Sequence, residues 1–334
     1  MKSQIKDILQ SRILVLDGAM GTMILHLNLT EEQYRGQRFR QTEKLQKGNN
    51  DLLTLTQPEI IEQIHRKYLE AGADIIQTNT FNATSVSMKQ YGIQKHVREM
   101  NVEAARIARN IADEFSNINS KKPRFVAGSI GPTHKTISMS ESGKTGSNIG
   151  YDELQISYKE QIEALMDGGV DILLFETVFD TQNAKAGLLA AHNIFQKRGK
   201  KIPIMVSATF IDEKGSTFSG ETIIEFFNSI NHSSLLSIGL NCSFGASTMK
   251  QHLIELKKTT NLFISVHPNA GLPNKMGKYD ETPEVMASYI KEFIDLRLVN
   301  IVGGCCGTTP QHIAKLVEMA DRATPSIPED RYSN

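Results

Sequence analysis

The chain has 334 residues, enough for one large domain or two ordinary ones, and 40% of them are hydrophobic, enough for a sizeable core. Lys+Arg and Asp+Glu balance at 37 each, so net charge gives no reason to expect nucleic acid or an anionic membrane as a partner. Three cysteines in a long chain do not make a disulfide framework; free thiols, no signal-like apolar core at the N-terminus and no apolar run near the roughly 20 residues of a membrane span point to the cytoplasm.

Residues 3–11 read as a short helix, and Ile13-Leu14-Val15-Leu16-Asp17-Gly18 as the first strand, closed by the tight turn Ala19-Met20-Gly21-Thr22. Residues 28–55 are polar and irregular, too long to be idle in a compact domain, and suggest a functional or docking role. Thr56-Gln57-Pro58-Glu59 reads as a capping box with an early proline, and Ile60, Ile61, Ile64, Tyr68 and Leu69 follow at helical spacing. The second strand is predicted over 74–81, the third over 125–132, the fourth over 172–177 and the fifth over 203–210. The sixth covers 237–242, the seventh 263–269, and Ile301-Val302 opens the eighth before Gly303-Gly304-Cys305-Cys306-Gly307. Thr309 is placed to cap the following helix, with Pro310 at its first position.

Two stretches share one punctuation. Ala71-Gly72-Ala73-Asp74 and Gly168-Gly169-Val170-Asp171 each stop a helix and place an aspartate before an apolar run. Helical segments over 183–197, 221–231, 248–258 and 283–295 separate the later strands. Eight apolar strands alternating with helices predict a (β/α)8 TIM barrel over residues 1–325, with a C-terminal tail at 326–334. No Gly-x-Gly-x-x-Gly follows the first strand and there is no P-loop, so an open nucleotide-binding sheet loses support.

Barrels of this kind carry their active sites at the C-terminal strand ends. Here those ends hold Asp17, Asn79, Glu176, Thr209, Asn241-Cys242, His267-Pro268-Asn269 and Cys305-Cys306. Cys242 ends strand six and the vicinal pair ends strand eight, so all three thiols can converge across strand seven. Three thiolates suit zinc, and three protein ligands with a fourth position open is the catalytic arrangement. Buried free cysteines that simply pack, or a redox-active vicinal disulfide, are the alternatives. Zinc with three thiolates carries net charge near minus one; it is a poor Lewis acid for carbonyls but stabilises a substrate thiol as a thiolate. The chemistry implied is attack by sulfur on an electrophilic carbon.

The stretches Leu16-Asp17-Gly18-Ala19-Met20-Gly21-Thr22, Lys47-Gly48-Asn49-Asn50-Asp51, Thr78-Asn79-Thr80-Phe81, Phe175-Glu176-Thr177-Val178-Phe179-Asp180, His267-Pro268-Asn269-Ala270-Gly271-Leu272-Pro273 and Gly303-Gly304-Cys305-Cys306-Gly307 together resemble the homocysteine S-methyltransferase family. The chain most resembles the family's N-terminal homocysteine-binding module of cobalamin-dependent methionine synthase, over nearly its whole length. The resemblance implies a zinc ion (Zn2+) on Cys242, Cys305 and Cys306, with homocysteine sulfur as fourth ligand and Asn269 in that position when substrate is absent. It implies that Asp17 and Glu176 hold the substrate ammonium and that backbone amides around Gly18 and Ala19 take its carboxylate. His267 is expected to be no ligand, since the tetrahedron is already full, and Asn241 to shape the turn presenting Cys242. Asn79 and Thr209 are expected in turn or supporting roles.

The loops after strands three and five depart from the synthase pattern: His134 follows Gly131-Pro132-Thr133, and 140–148 lacks the expected aspartate- and proline-containing segment. These changes bear on the methyl donor and its docking. The expected function is zinc-dependent methyl transfer to homocysteine, giving methionine, with methylcobalamin supplied by a cobalamin- and folate-binding partner chain. The alternatives are a self-contained enzyme using S-methylmethionine, S-adenosylmethionine or betaine, or, in another class, a zinc-binding or thiol-redox protein.

Overall fold

The computed structural model describes residues 4–138, 149–210, 212, 214–217, 220–230, 235–277 and 279–328. The loop at 140–148, the last residues of the expected tail and Phe218 lie outside them. The strands are β1 (Leu14–Val15), β2 (Ile75–Gln77), β3 (Phe125–Ile130), β4 (Ile172–Val178), β5 (Ile204–Ala208), β6 (Leu235–Gly245), β7 (Phe263–Asn269) and β8 (Ile301–Val302). They form one parallel sheet in the order β1-β8-β7-β6-β5-β4-β3-β2. A parallel bridge between Leu16 and Ile75 brings the two ends together, so the predicted TIM barrel is present. No helix among the described residues is long and apolar enough to cross a membrane.

The repeated aspartate explains how adjacent strands are held at the barrel's N-terminal end. Asp74 accepts the Val15 N–H at 2.9 Å and both guanidinium nitrogens of Arg12, also at 2.9 Å. Asp171 does the same for the Val126 N–H at 3.0 Å, with Arg109 as its cation. In both cases the preceding glycine, Gly72 at φ 100° or Gly169 at φ 96°, makes the left-handed turn that stops the helix.

Inside the barrel, Leu14, Leu16, Ile75, Ala127, Ile172, Leu174, Met205, Phe263 and Ile301 form one apolar cluster with Ile5 and Leu9 of helix Gln4–Ser11. Side chains two residues apart share a face of a strand. The next inward positions after Ile75, Ala127, Leu174 and Met205 are Gln77, Ser129, Glu176 and Ser207, so the interior turns polar toward the C-terminal mouth. A larger apolar cluster between strands and helices completes the core.

Two sequence expectations are corrected. Thr56 does not form a capping box: it ends the short helix Leu53–Thr56, its hydroxyl donates to Leu52 O at 3.3 Å, and Gln57 becomes the N-cap of Pro58–Glu70 without a side-chain capping bond, its Nε2 donating to Gln33 O instead. A capping box forms instead at Thr30 and Gln33, opening helix Glu31–Arg35 within the stretch read as irregular.

Candidate active site

The vicinal cysteines are tied to the end of β7. Cys305 N–H donates to Pro268 O at 2.7 Å, and Ala270 N–H donates to Cys306 O at 2.9 Å. Across β7, the β6 ladder pairs Cys242 with Pro268, then bulges, and resumes at Gly245 opposite Asn269. The three Sγ atoms consequently lie within 4.8 Å of one another, in half-buried residues. Close approach explains the glycines: a Cβ on Gly304 or Gly18 would sit 2.4 or 2.7 Å from Thr308 Oγ1. Thr177, Cys242 and Ser243 all adopt left-handed backbone, at φ 55°, 58° and 53°. Such conformations are costly for residues with a Cβ, most of all for a β-branched one, and must be held by their surroundings.

Hydrogen bonds from Cys242 and Cys305, and from the Tyr279 hydroxyl, pull the Cys306 thiol down to about 3. The same sharing with Cys242 and Cys306, together with burial, pushes Cys305 well up. Three sulfurs sharing hydrogen bonds make a soft, electron-rich donor set.

A cavity of about 660 Å³ adjoins the sulfurs. Its wall includes the three cysteines, Glu176, Thr177, Gln77, Asn79, Gly18 and Ala19. Glu176 is 6% exposed, accepts a hydrogen bond from Ser129 Oγ, and is pushed up to about 7 by burial, with the Cys306 charge adding to the shift. Asp17 is deeper, 2% exposed behind Gln77, whose backbone N–H and Nε2 donate to its two oxygens at 2.9 and 3.0 Å. Burial raises Asp17 to about 8 despite those bonds. Ala19 N–H already donates to Thr308 Oγ1 at 3.1 Å. Asn269 is buried; its Nδ2 donates to Ser243 O at 3.4 Å, while its Oδ1 has no partner.

Residues 14–320 match the family model for homocysteine S-methyltransferase. The chain belongs to the homocysteine S-methyltransferase family. Among solved structures it is similar to the homocysteine methyltransferase MmuM from Escherichia coli. The oxidised form matches with TM-score 0.71 at 21% identity, over 92% of this chain and 95% of that one. The metallated form matches with TM-score 0.69 at 22% identity, over 93% and 98%.

Within this member of the family the other expected residues divide. Asn79 lines the cavity and donates to Asn50 O at 2.8 Å. Thr209 bonds the Ser243 hydroxyl, supporting the bulge after Cys242. His267 is buried, driven down to about 3 by desolvation, and lies outside the sulfur group. The 28–55 stretch also brings Tyr34, Asn50 and Asp51 to the cavity wall, where Phe81 and Tyr279 lie too, none of them assigned to the site from sequence. The length of that stretch was the signal; which of its residues face inward was not. Asp51 accepts Asn82 N–H at 2.9 Å and is raised by burial to about 6. The described lining residues include no lysine, arginine or histidine.

Proposed function

We infer that this chain transfers a methyl group to the sulfur of homocysteine, releasing methionine, with a zinc ion held by Cys242, Cys305 and Cys306. The observation that carries the reading is the convergence of three sulfurs, within 4.8 Å of one another, and the buried Glu176 on one cavity. The residues fit such an ion: the donors are soft thiols, and Asn269, whose buried Oδ1 has no partner, ends β7 between the strands that lead to Cys242 and Cys306. Bound there, zinc would hold a substrate thiol as its thiolate, where free thiol at neutral pH is only a few per cent ionised.

The chain's own groups account for the rest of the amino acid. Glu176, oriented by Ser129, and Asp17, oriented by Gln77, supply anionic partners for an ammonium group. The carboxylate falls to backbone near Gly18 and Ala19, where helix Met20–Leu25 begins without a capping side chain. A wall without basic side chains suits a ligand whose charged group near it is a cation.

For the donor, we assign methylcobalamin carried by a separate protein. Sulfur must meet the methyl carbon in line at about 3–3.5 Å, and the cavity reaches the surface at Leu25, 70% exposed, leaving an approach for a bulky donor. A second reading, a small sulfonium or quaternary ammonium donor, is favoured by Tyr34, Phe81 and Tyr279, three aromatic residues on the wall that come from the connections after β1, β2 and β7. The test is a donor panel on zinc-loaded protein with homocysteine. Slow methionine formation from free methylcobalamin, rising with a cobalamin-binding partner, is expected. Saturable turnover with S-methylmethionine and none with methylcobalamin would establish the second reading; no methionine from any donor, with zinc bound, would leave a zinc-binding or thiol-redox protein.

A further inference from the structure

Asn241 is fully buried, next to Cys242, and every hydrogen-bonding position of its carboxamide is used. Its Oδ1 accepts from Thr177 N–H at 2.8 Å and from Ser207 Oγ at 2.7 Å. Its Nδ2 donates to Thr177 Oγ1 at 2.8 Å and to Cys305 Sγ at 3.8 Å. A carboxamide offers two lone pairs and two N–H bonds, so four partners saturate it. They also fix its orientation, because a flip would turn N–H toward N–H at Thr177 and an oxygen lone pair toward the sulfur.

The partners link the two halves of the site. Thr177 follows Glu176 and is held at φ 55° by two bonds to this one residue. Cys305 belongs to β8's end, Ser207 to β5, and Asn241 itself continues into Cys242 at φ 58°. A single buried amide therefore ties the strand end bearing the ammonium-facing carboxylate to both strand ends bearing sulfur.

We propose that Asn241 is a positioning residue of the methyltransferase site, whose Nδ2–H donates to Cys305 Sγ and sets how that sulfur is presented to a metal and its distance from Glu176. This rests on the reading that the three cysteines hold a metal. Partners of ligating groups commonly change metal affinity by 10- to 100-fold. Asn241→Asp keeps the acceptor for Thr177 N–H and Ser207 but replaces the donor facing sulfur with a second anionic oxygen.

The test compares wild-type and Asn241→Asp protein by chelator competition for zinc and by the thiolate-to-metal charge-transfer band after cobalt substitution. Expected in the folded variant are a 10-fold or greater loss of zinc affinity and a shifted cobalt band. Because the variant can fail to fold, a second measurement uses wild-type protein loaded with cadmium-113 and labelled with nitrogen-15 asparagine. A scalar coupling between cadmium and one asparagine side-chain N–H is expected. Unaltered zinc affinity and cobalt band in folded Asn241→Asp, or no such coupling in a cadmium-loaded protein that shows backbone couplings, overturns the proposal. Failure of wild-type protein to bind zinc, cobalt or cadmium at all would instead overturn the metal reading beneath it.

Discussion

At the residue scale, the three sulfurs and the two buried carboxyls make separate demands. A three-thiolate site has no spare protein ligand, so Cys242→Ser, Cys305→Ser or Cys306→Ser should each lower bound metal from about one ion per chain to well under half, read by atomic spectroscopy after dialysis. Full retention in any one removes that residue from the ligand set. Glu176 faces the cavity while Asp17 stands behind Gln77, so the two carboxyls should not matter equally. Losing a charge-assisted hydrogen bond costs roughly 1.5–3 kcal/mol; Glu176→Gln should weaken homocysteine binding about tenfold or more with metal retained, and Asp17→Asn should weaken it less. Equal losses would place Asp17 in direct contact as well.

The same two groups fix a pH dependence. Asp17 is raised to about 8 and Glu176 to about 7, both chiefly by burial. Below those values they carry protons, and pairing with an ammonium group favours their loss. Affinity should therefore rise between about pH 6 and 8, with protons released, and level off above. Homoserine isolates this effect, since its hydroxyl does not ionise in the range as a thiol does. Calorimetry in buffers of different ionisation enthalpy measures the release; a pH-independent homoserine affinity would mean that both carboxyls are already ionised.

At the element scale, the stretch between helix Met20–Leu25 and helix Pro58–Glu70 acts as an organised wall rather than a loose connection. Arg35 holds it: the guanidinium donates to the backbone oxygens of Arg40, Thr42 and Lys44 and pairs with Glu31. Glu31 in turn accepts N–H bonds from Gln46 and Lys47, just before the Gly48–Asp51 segment at the cavity. Hydrogen bonds to charged groups contribute about 1.5–3 kcal/mol each when well made. Arg35→Ala should open this stretch to limited proteolysis between residues 36 and 49 and raise KM for homocysteine, with metal content unchanged. Resistance equal to wild type would show that Glu31 and the apolar anchors Tyr34 and Phe39, both buried, suffice.

At the scale of the whole molecule, barrel closure depends on a short seam. β1 and β2 meet through the Leu16–Ile75 bridge, with Asp17 N–H donating to Ile75 O at 2.9 Å and Asp74 N–H to Val15 O at 2.7 Å. The Asp74 carboxylate, 1% exposed, reinforces it through Arg12 and the Val15 N–H, with Arg124 at 3.7 Å. Removing one partner of a buried ion pair leaves a charge unpaired at a cost of about 3–5 kcal/mol. Asp74→Ala should lower stability by that order in urea denaturation, while the sulfur cluster, on the far end of other strands, still takes metal in the folded fraction. A loss under about 1 kcal/mol would show that the backbone bonds alone close the barrel.

Local sequence was enough for what depends on periodicity and punctuation. Apolar runs of strand length and helix stops at Gly72 and Gly169 predicted the alternating elements and hence the barrel, because each signal is satisfied within one or two turns of chain. The cysteines were legible as a group because strand order places the ends of β6 and β8 on either side of β7. Tertiary structure decided the rest, since it concerns partners distant in sequence. Whether Asp17 or Glu176 faces the cavity depended on Gln77 and Ser129 from other strands, and the reach of Asn50 and Asp51 depended on Arg35 folding their segment inward. Beyond the turn-shaping role expected of Asn241, its four bonds were not legible in sequence, because they go to Thr177 of β4, Ser207 of β5 and Cys305 after β8, and only closure of the barrel brings these to one amide.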